Sequence, residues 1–293
     1  MNGANRMPTR STVPPVLPRA ERLAILASLA LVIGLAWLYL AVFGMTMTMS
    51  DSGSMAKTSH ASAASSAPMD DMPGMKMADA ATEASHGMVM ASLSFGFLAA
   101  MWLVMMIGMM LPSASPMILI VARIGRARTP GGGPAVGTGA FALGYLLAWT
   151  GFSLVAAAAQ VGLQEGVVSG HDMAIRSAPI AGGVLIAAGL YQWTPLKSIC
   201  LAKCRSPVGF LFSHWRPGAL GAMRMGLSHG LFCLGCCWLL MALLFVAGVM
   251  ALPWVAALAA LVLLEKLAPK GEWVARAGGV AMLGAGIYLV AAG

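Results

Sequence analysis

The chain has 293 residues, 59% of them hydrophobic and only 10% charged, with a formal net charge of +8. A water-soluble domain carries roughly 25% charged residues, so the composition excludes an ordinary soluble globule. The basic surplus excludes a nucleic-acid partner too, because Lys and Arg fall in short clusters at the ends of apolar runs, the placement that orients a membrane protein.

Residues 1–22 hold Arg6, Arg10, Arg19 and Arg22 with Pro14, Pro15 and Pro18, and read as a basic, disordered cytoplasmic tail. The uncharged run 23–43 exceeds the apolar core of a signal peptide, and no small-x-small cleavage site closes it. It predicts a retained first transmembrane helix over 23–44. Residues 45–89 are rich in Met, Ala, Ser and Asp, too polar to form a core, and predict a flexible extracytoplasmic loop. A six-helix membrane domain is expected over 90–293. Its helices fall near 90–122, 136–163 and 179–193, followed by a polar connector carrying Lys197, Lys203, Arg205, Arg216 and Arg224. The run 225–264 is too long for one crossing, and Pro253 predicts a break near 249–253. Glu265-Lys266 ends the sixth helix, and a seventh covers 273–292.

With the N-terminus inside, fifteen of the eighteen Lys and Arg residues face the cytoplasm and only Lys57, Lys76 and Arg176 face outward. A six-helix reading would place the last basic cluster outside. The expected fold class is therefore all-α, a polytopic transmembrane bundle of about seven helices with a cytoplasmic N-terminus.

Four groups of residues carry candidate chemistry. The loop contains Met45, Met47 and Met49, then Met69, Met72, Met75 and Met77, with His60, His86, Met88 and Met90 nearby. Thioether sulfur is a soft, neutral ligand that selects Cu(I) over hard ions. Unlike thiolate, it is not lost to disulfide formation in an oxidising compartment. Within helix two, Met101, Met105 and Met109 recur at i, i+4, i+8 with Met106 and Met110 beside them. That stripe serves equally as apolar packing or as a thioether ladder.

Helix five carries Met225, His229, Cys233, Cys236 and Cys237. At about 100° per residue they share one face with Trp238 opposite. Gly226 and Gly230 border that face, which invites close approach of a neighbouring helix. An ionisable His in a membrane helix is costly and marks function, and imidazole with soft sulfur suits Cu or Zn. Thiol redox chemistry and plain packing are the competing readings. Finally, Cys200 and Cys204 lie on one side of a turn in the basic connector, on the reducing side. There Lys197, Lys203 and Arg205 are expected to favour their thiolates, and the pair is able to approach Cys233 and His229.

Three segments, MWLVMMIGMMLPSASPM (101–117), YQWTPLKSICLAKCRSP (191–207) and MGLSHGLFCLGCCWLLM (225–241), followed by Glu265-Lys266, carry a resemblance. In this order they resemble the bacterial family of predicted metal-binding integral membrane proteins, some labelled copper chaperones. The resemblance covers residues 90–290 and implies a multi-pass protein of the bacterial inner membrane. Where many members carry Asn and Met around helix six, this chain has Ala251 and Val255, so no ligand is expected from that helix.

The expected function is Cu(I) handling, with Zn as the other metal the ligand set accepts, and with no enzymatic activity. Loop methionines collect Cu(I), the His229–Cys237 face receives it, and Cys200 and Cys204 exchange it. The expected partners are the lipid bilayer and a cuproenzyme or soluble copper carrier. No GxxxxGK[ST] phosphate loop is present. The rivals are a transmembrane thiol-disulfide carrier and a membrane assembly factor without its own metal.

Overall fold

The computed structural model describes residues 17–64, 95–128, 134–164, 168–169, 174–175, 177–249 and 251–292, with side chains past Val42 in the first helix excluded. In chain order these form α1 (Arg19–Ala64), α2 (Phe95–Arg128), α3 (Pro134–Gln164), α4 (Ala178–Tyr191), α5 (Pro195–Arg205), α6 (Pro207–His214), α7 (Gly218–Ala242), α8 (Leu244–Ala247), α9 (Leu252–Leu267) and α10 (Gly271–Ala292). A two-residue antiparallel pair, β1 (Val168–Ser169) with β2 (Ala174–Ile175), bridges α3 and α4. The fold is an all-α bundle.

Among the described residues, five helical segments are long and apolar enough to cross a membrane: Arg19–Val42, Phe95–Arg126, Val136–Leu163, Gly218–Ala247 and Gly271–Ala292. The expected fourth and sixth crossings, α4 and α9, have only 14 and 16 residues. At 1.5 Å per residue they reach about 21 and 24 Å, short of the ~30 Å hydrocarbon thickness. Helix α1 runs on to Ala64, through the first Met cluster where a loop was expected. The side chains of Met45, Met47 and Met49, and all of Met69, Met72, Met75 and Met77, lie outside the described residues.

Helix α2 continues through Pro112 and Pro116. A proline removes one N–H and orphans the carbonyl four residues back. Both orphans find donors. Trp37 Nε1 of α1 donates to the Gly108 carbonyl at 3.3 Å, and Ser115 Oγ donates to the Pro112 carbonyl at 2.8 Å. Glu21 pairs with Arg126, fixing the start of α1 beside the end of α2. The first helix is thus docked on the proline-interrupted stretch of α2.

The closest helix pair is α3 against α7, and its glycines explain why. A Cβ on Gly226 would overlap the Phe141 carbonyl, and one on Gly144 would overlap the Met223 carbonyl. At Gly230 it would stand 2.7 Å from Ala148 Cβ. A second such seam joins α4 and α10 through Gly182, Gly189, Gly279 and Gly286. Backbones that approach this closely hold their side chains in fixed register, which places the polar face of α7 inside the bundle.

The break between the fifth and sixth expected helices arises earlier than Pro253. Helix α7 ends at Ala242, and the chain turns at Gly248, whose φ of 95° only glycine adopts without strain. Pro253 instead sits in the first turn of α9, where its missing N–H costs nothing.

Candidate metal centre

Each thiol is placed by a different device. Helix α5 begins at Thr194, whose Oγ1 accepts from Lys197 N at 3.3 Å and caps the first turn. The helix is then tied down at both ends. Lys197 Nζ donates to Glu265 Oε2 at 2.7 Å, with both side chains at most 2% exposed. Arg205 donates to the Ala268 carbonyl at 2.7 Å and the Pro269 carbonyl at 2.8 Å. Gln192 Nε2 donates to the other Glu265 oxygen at 3.0 Å. Tyr191 Oη, at the end of α4, donates to the Gly235 carbonyl of α7. These bonds press α5 against the middle of α7.

The consequence is a single cluster where the sequence suggested two. Cys204 lies near enough to Cys233 and Cys236 of α7 for the three thiols to influence one another's titration. Cys200 lies against Gly235, close enough that a Cβ there would stand 2.9 Å from its sulfur. Cys236 and Cys237 both donate to the Cys233 carbonyl at 3.0 Å. All five cysteines are free thiols. Gly235, having no side chain, lets Cys200 reach α7.

Lys266 of α9 completes the arrangement. Its Nζ donates to Cys233 Sγ at 2.9 Å and to Ser113 Oγ at 3.2 Å, and lies 4.0 Å from Met110 Sδ. Tyr145 Oη is 3.1 Å from Cys233 Sγ and 3.3 Å from the Met110 carbonyl. The sixth expected helix thus brings a cation, not a metal ligand, to the cluster. Sequence reasoning took Lys266 and Lys197 as orientation charges at a membrane edge, yet both are buried. The usable signal was a charge doublet, Glu265-Lys266, closing an apolar helix, since buried ionisable groups in such helices carry function by default.

The expected thiolate-favouring role is overturned for Lys197 and Arg205. Lys197 is consumed by Glu265 and Arg205 by backbone carbonyls. The Cys204 thiol is held well above the usual thiol range by the neighbouring Cys233 and Cys236 thiols and by burial. Burial likewise pushes the Cys200 thiol up.

His229 sits one turn before Cys233 on the buried face. Its ring is boxed by Phe141 and Tyr145, each 5.9 Å away between centroids, and by Phe210 at 5.4 Å. Its Nδ1 is buried with no hydrogen-bond partner. Met225 Sδ accepts from Arg216 N at 3.3 Å, outside the thiol cluster. Met101, Met105 and Met109 are all buried in the apolar core. Met110, about 140° around α2 from Met105, is the methionine that meets Lys266.

Among the described residues no group of three or more His, Cys, Asp or Glu side chains is arranged to hold a metal ion. The thiols of Cys236 and Cys237 instead donate to the Cys233 carbonyl. Such a cluster presents adjacent soft donors without a preformed polyhedron, and tetrahedral Zn needs four ligands in place. Residues 99–289 match a family model, PpoB2, described as copper chaperone. No curated protein and no solved structure matches the chain.

Proposed function

We propose that this chain, which belongs to the PpoB2 copper chaperone family, is a non-enzymatic, multi-pass inner-membrane protein that binds Cu(I) as cargo within its helical bundle. One observation carries the reading: the Cys233 thiol of α7 lies 2.9 Å from the Lys266 ammonium, which is itself 4.0 Å from the Met110 thioether, with Cys200 of α5 packed against Gly235 and Cys204 near Cys233 and Cys236. Soft sulfur donors from separate helices suit Cu(I), and Cys233 and Met110 are buried, while Cys204 is half-buried. The apolar helices support membrane embedding, since five are long enough to cross.

Cys204 and Cys233 are the proposed ligands, because Cys236 and Cys237 have their S–H groups engaged by the Cys233 carbonyl. Cys200, at the Gly235 notch, is the proposed exchange thiol toward a cuproenzyme or soluble carrier. The methionines of 45–89 are proposed to gather Cu(I) on the opposite side. Met101, Met105 and Met109 pack the core between, and His229 is the nitrogen that Zn would add.

The test is Cu(I) loading of the detergent-purified chain under anaerobic, reducing conditions. The wild type is expected to retain copper on dialysis against a weak chelator, and C204S/C233S to lose it. Equal retention in both would remove the cluster from the mechanism. The same thiol contact would serve a dithiol carrier, which predicts a Cys204–Cys233 disulfide on mild oxidation and no retained copper.

A further inference from the structure

Lys266 is an ammonium buried to 7% exposure, and among the described residues no carboxylate ion-pairs with it. The neighbouring carboxylate, Glu265, is fully occupied by Lys197 and Gln192. Every other contact of Lys266 is neutral: Ser113 Oγ at 3.2 Å and the Met110 thioether at 4.0 Å. A buried charge without an opposite charge is costly. Among its hydrogen-bond partners in the described residues, Cys233 Sγ at 2.9 Å is the one able to become anionic.

From this geometry we infer that Lys266 is the counter-charge of the metal complex and thereby selects the charge of the ion it accepts. The inference rests on the copper reading above. When Cu(I) binds, the thiols of Cys204 and Cys233 each release a proton to solvent and form Cu–S bonds. The bis-thiolate complex carries one net negative charge, and Lys266 brings the site to neutrality. A divalent ion on the same two thiolates forms a neutral complex, and Lys266 then leaves one uncompensated positive charge in an apolar surround. The S–H groups of Cys236 and Cys237 are turned to the Cys233 carbonyl rather than toward Lys266. Lys266 is a specificity-determining residue acting through charge; it need not touch the metal.

The experiment compares Ag(I), an air-stable monovalent soft ion, with Zn(II) on the full-length chain in detergent, by chelator competition. Removing a charge this close in a buried site changes affinity by on the order of a hundredfold. K266M is expected to lose Ag(I) affinity by about that factor while Zn(II) affinity holds or rises, and K266R is expected to keep the wild-type ratio. A merely structural lysine would weaken both ions together. K266Q reads the same ratio if K266M does not purify monodisperse. An unchanged ratio in the neutral variants overturns the inference while leaving the copper site standing. Failure of the wild type to bind Ag(I) or Cu(I) at all overturns the copper reading itself. Preferential Zn(II) binding that depends on Lys266 also overturns the inference, since it would mean three thiolates.

Discussion

The Lys197–Glu265 pair is the joint on which the cluster depends, and E265L measures it. The carboxylate accepts from Lys197 at 2.7 Å and from Gln192 at 3.0 Å, and neither charged side chain exceeds 2% exposure. Substituting leucine leaves the ammonium buried and unpaired, which costs about 3–5 kcal/mol. Because α9 also carries Lys266, the loss loosens α5 from α7 and exposes Cys204. Intrinsic tryptophan fluorescence during heating in detergent reads the stability, and about 2–4 °C per kcal/mol for a chain of this size gives a drop of roughly 6–20 °C. Maleimide labelling of Cys204 should accelerate in parallel. The double variant K197M/E265L removes both charges and is expected to recover most of the loss, because a buried ion pair replaced by apolar groups is close to neutral. A single variant within about 1 kcal/mol of wild type, or a double variant no better than the sum of the singles, would refute the reasoning.

Other consequences concern packing and reactivity. W37F removes the donor to the Gly108 carbonyl orphaned by Pro112. It is expected to cost about 1–3 kcal/mol, read as a lower melting temperature; no change would show that α1 docks by apolar contact alone. G226L forces a side chain into the Phe141 carbonyl and should part α3 from α7, giving a broadened or aggregated peak on size exclusion, whereas G34L, in open space on α1, should not. Cys204 has its thiol raised by the neighbouring Cys233 and Cys236 thiols and by burial. Less thiolate is then present at any given pH below that raised value, so its alkylation rate should keep climbing with pH past about 8.5, the usual thiol pKa. A plateau near that pH would contradict the placement.

Much of the bundle was legible because apolar runs bounded by charge and proline declare helices directly. The buried face of α7 was legible as well: His229, Cys233, Cys236 and Cys237 are all internal, and Trp238 is 44% exposed. What the sequence withheld were contacts set by long-range docking. Cys204 joins Cys233 because Lys197 finds Glu265, 68 residues later, and periodicity carries no information about that pairing. Lys266 looked like an edge charge because its position in the chain, at a helix end, is the same whether it faces headgroups or sulfur. Met110 was set beside the Met101–Met105–Met109 stripe because spacing finds stripes, and the thioether that meets Lys266 lay off it. Two of the fifteen residues counted toward cytoplasmic orientation, Lys197 and Lys266, are buried in the bundle.

The central claim is a sulfur-only Cu(I) site at Cys204 and Cys233. X-ray absorption at the copper edge of the Cu(I)-loaded, full-length protein tests it most directly, with H229A measured beside the wild type. The account predicts a first shell of sulfur alone, a two-coordinate Cu(I) edge, and the same spectrum in H229A. An imidazole nitrogen shell that disappears in H229A, or no copper bound after loading, would contradict it.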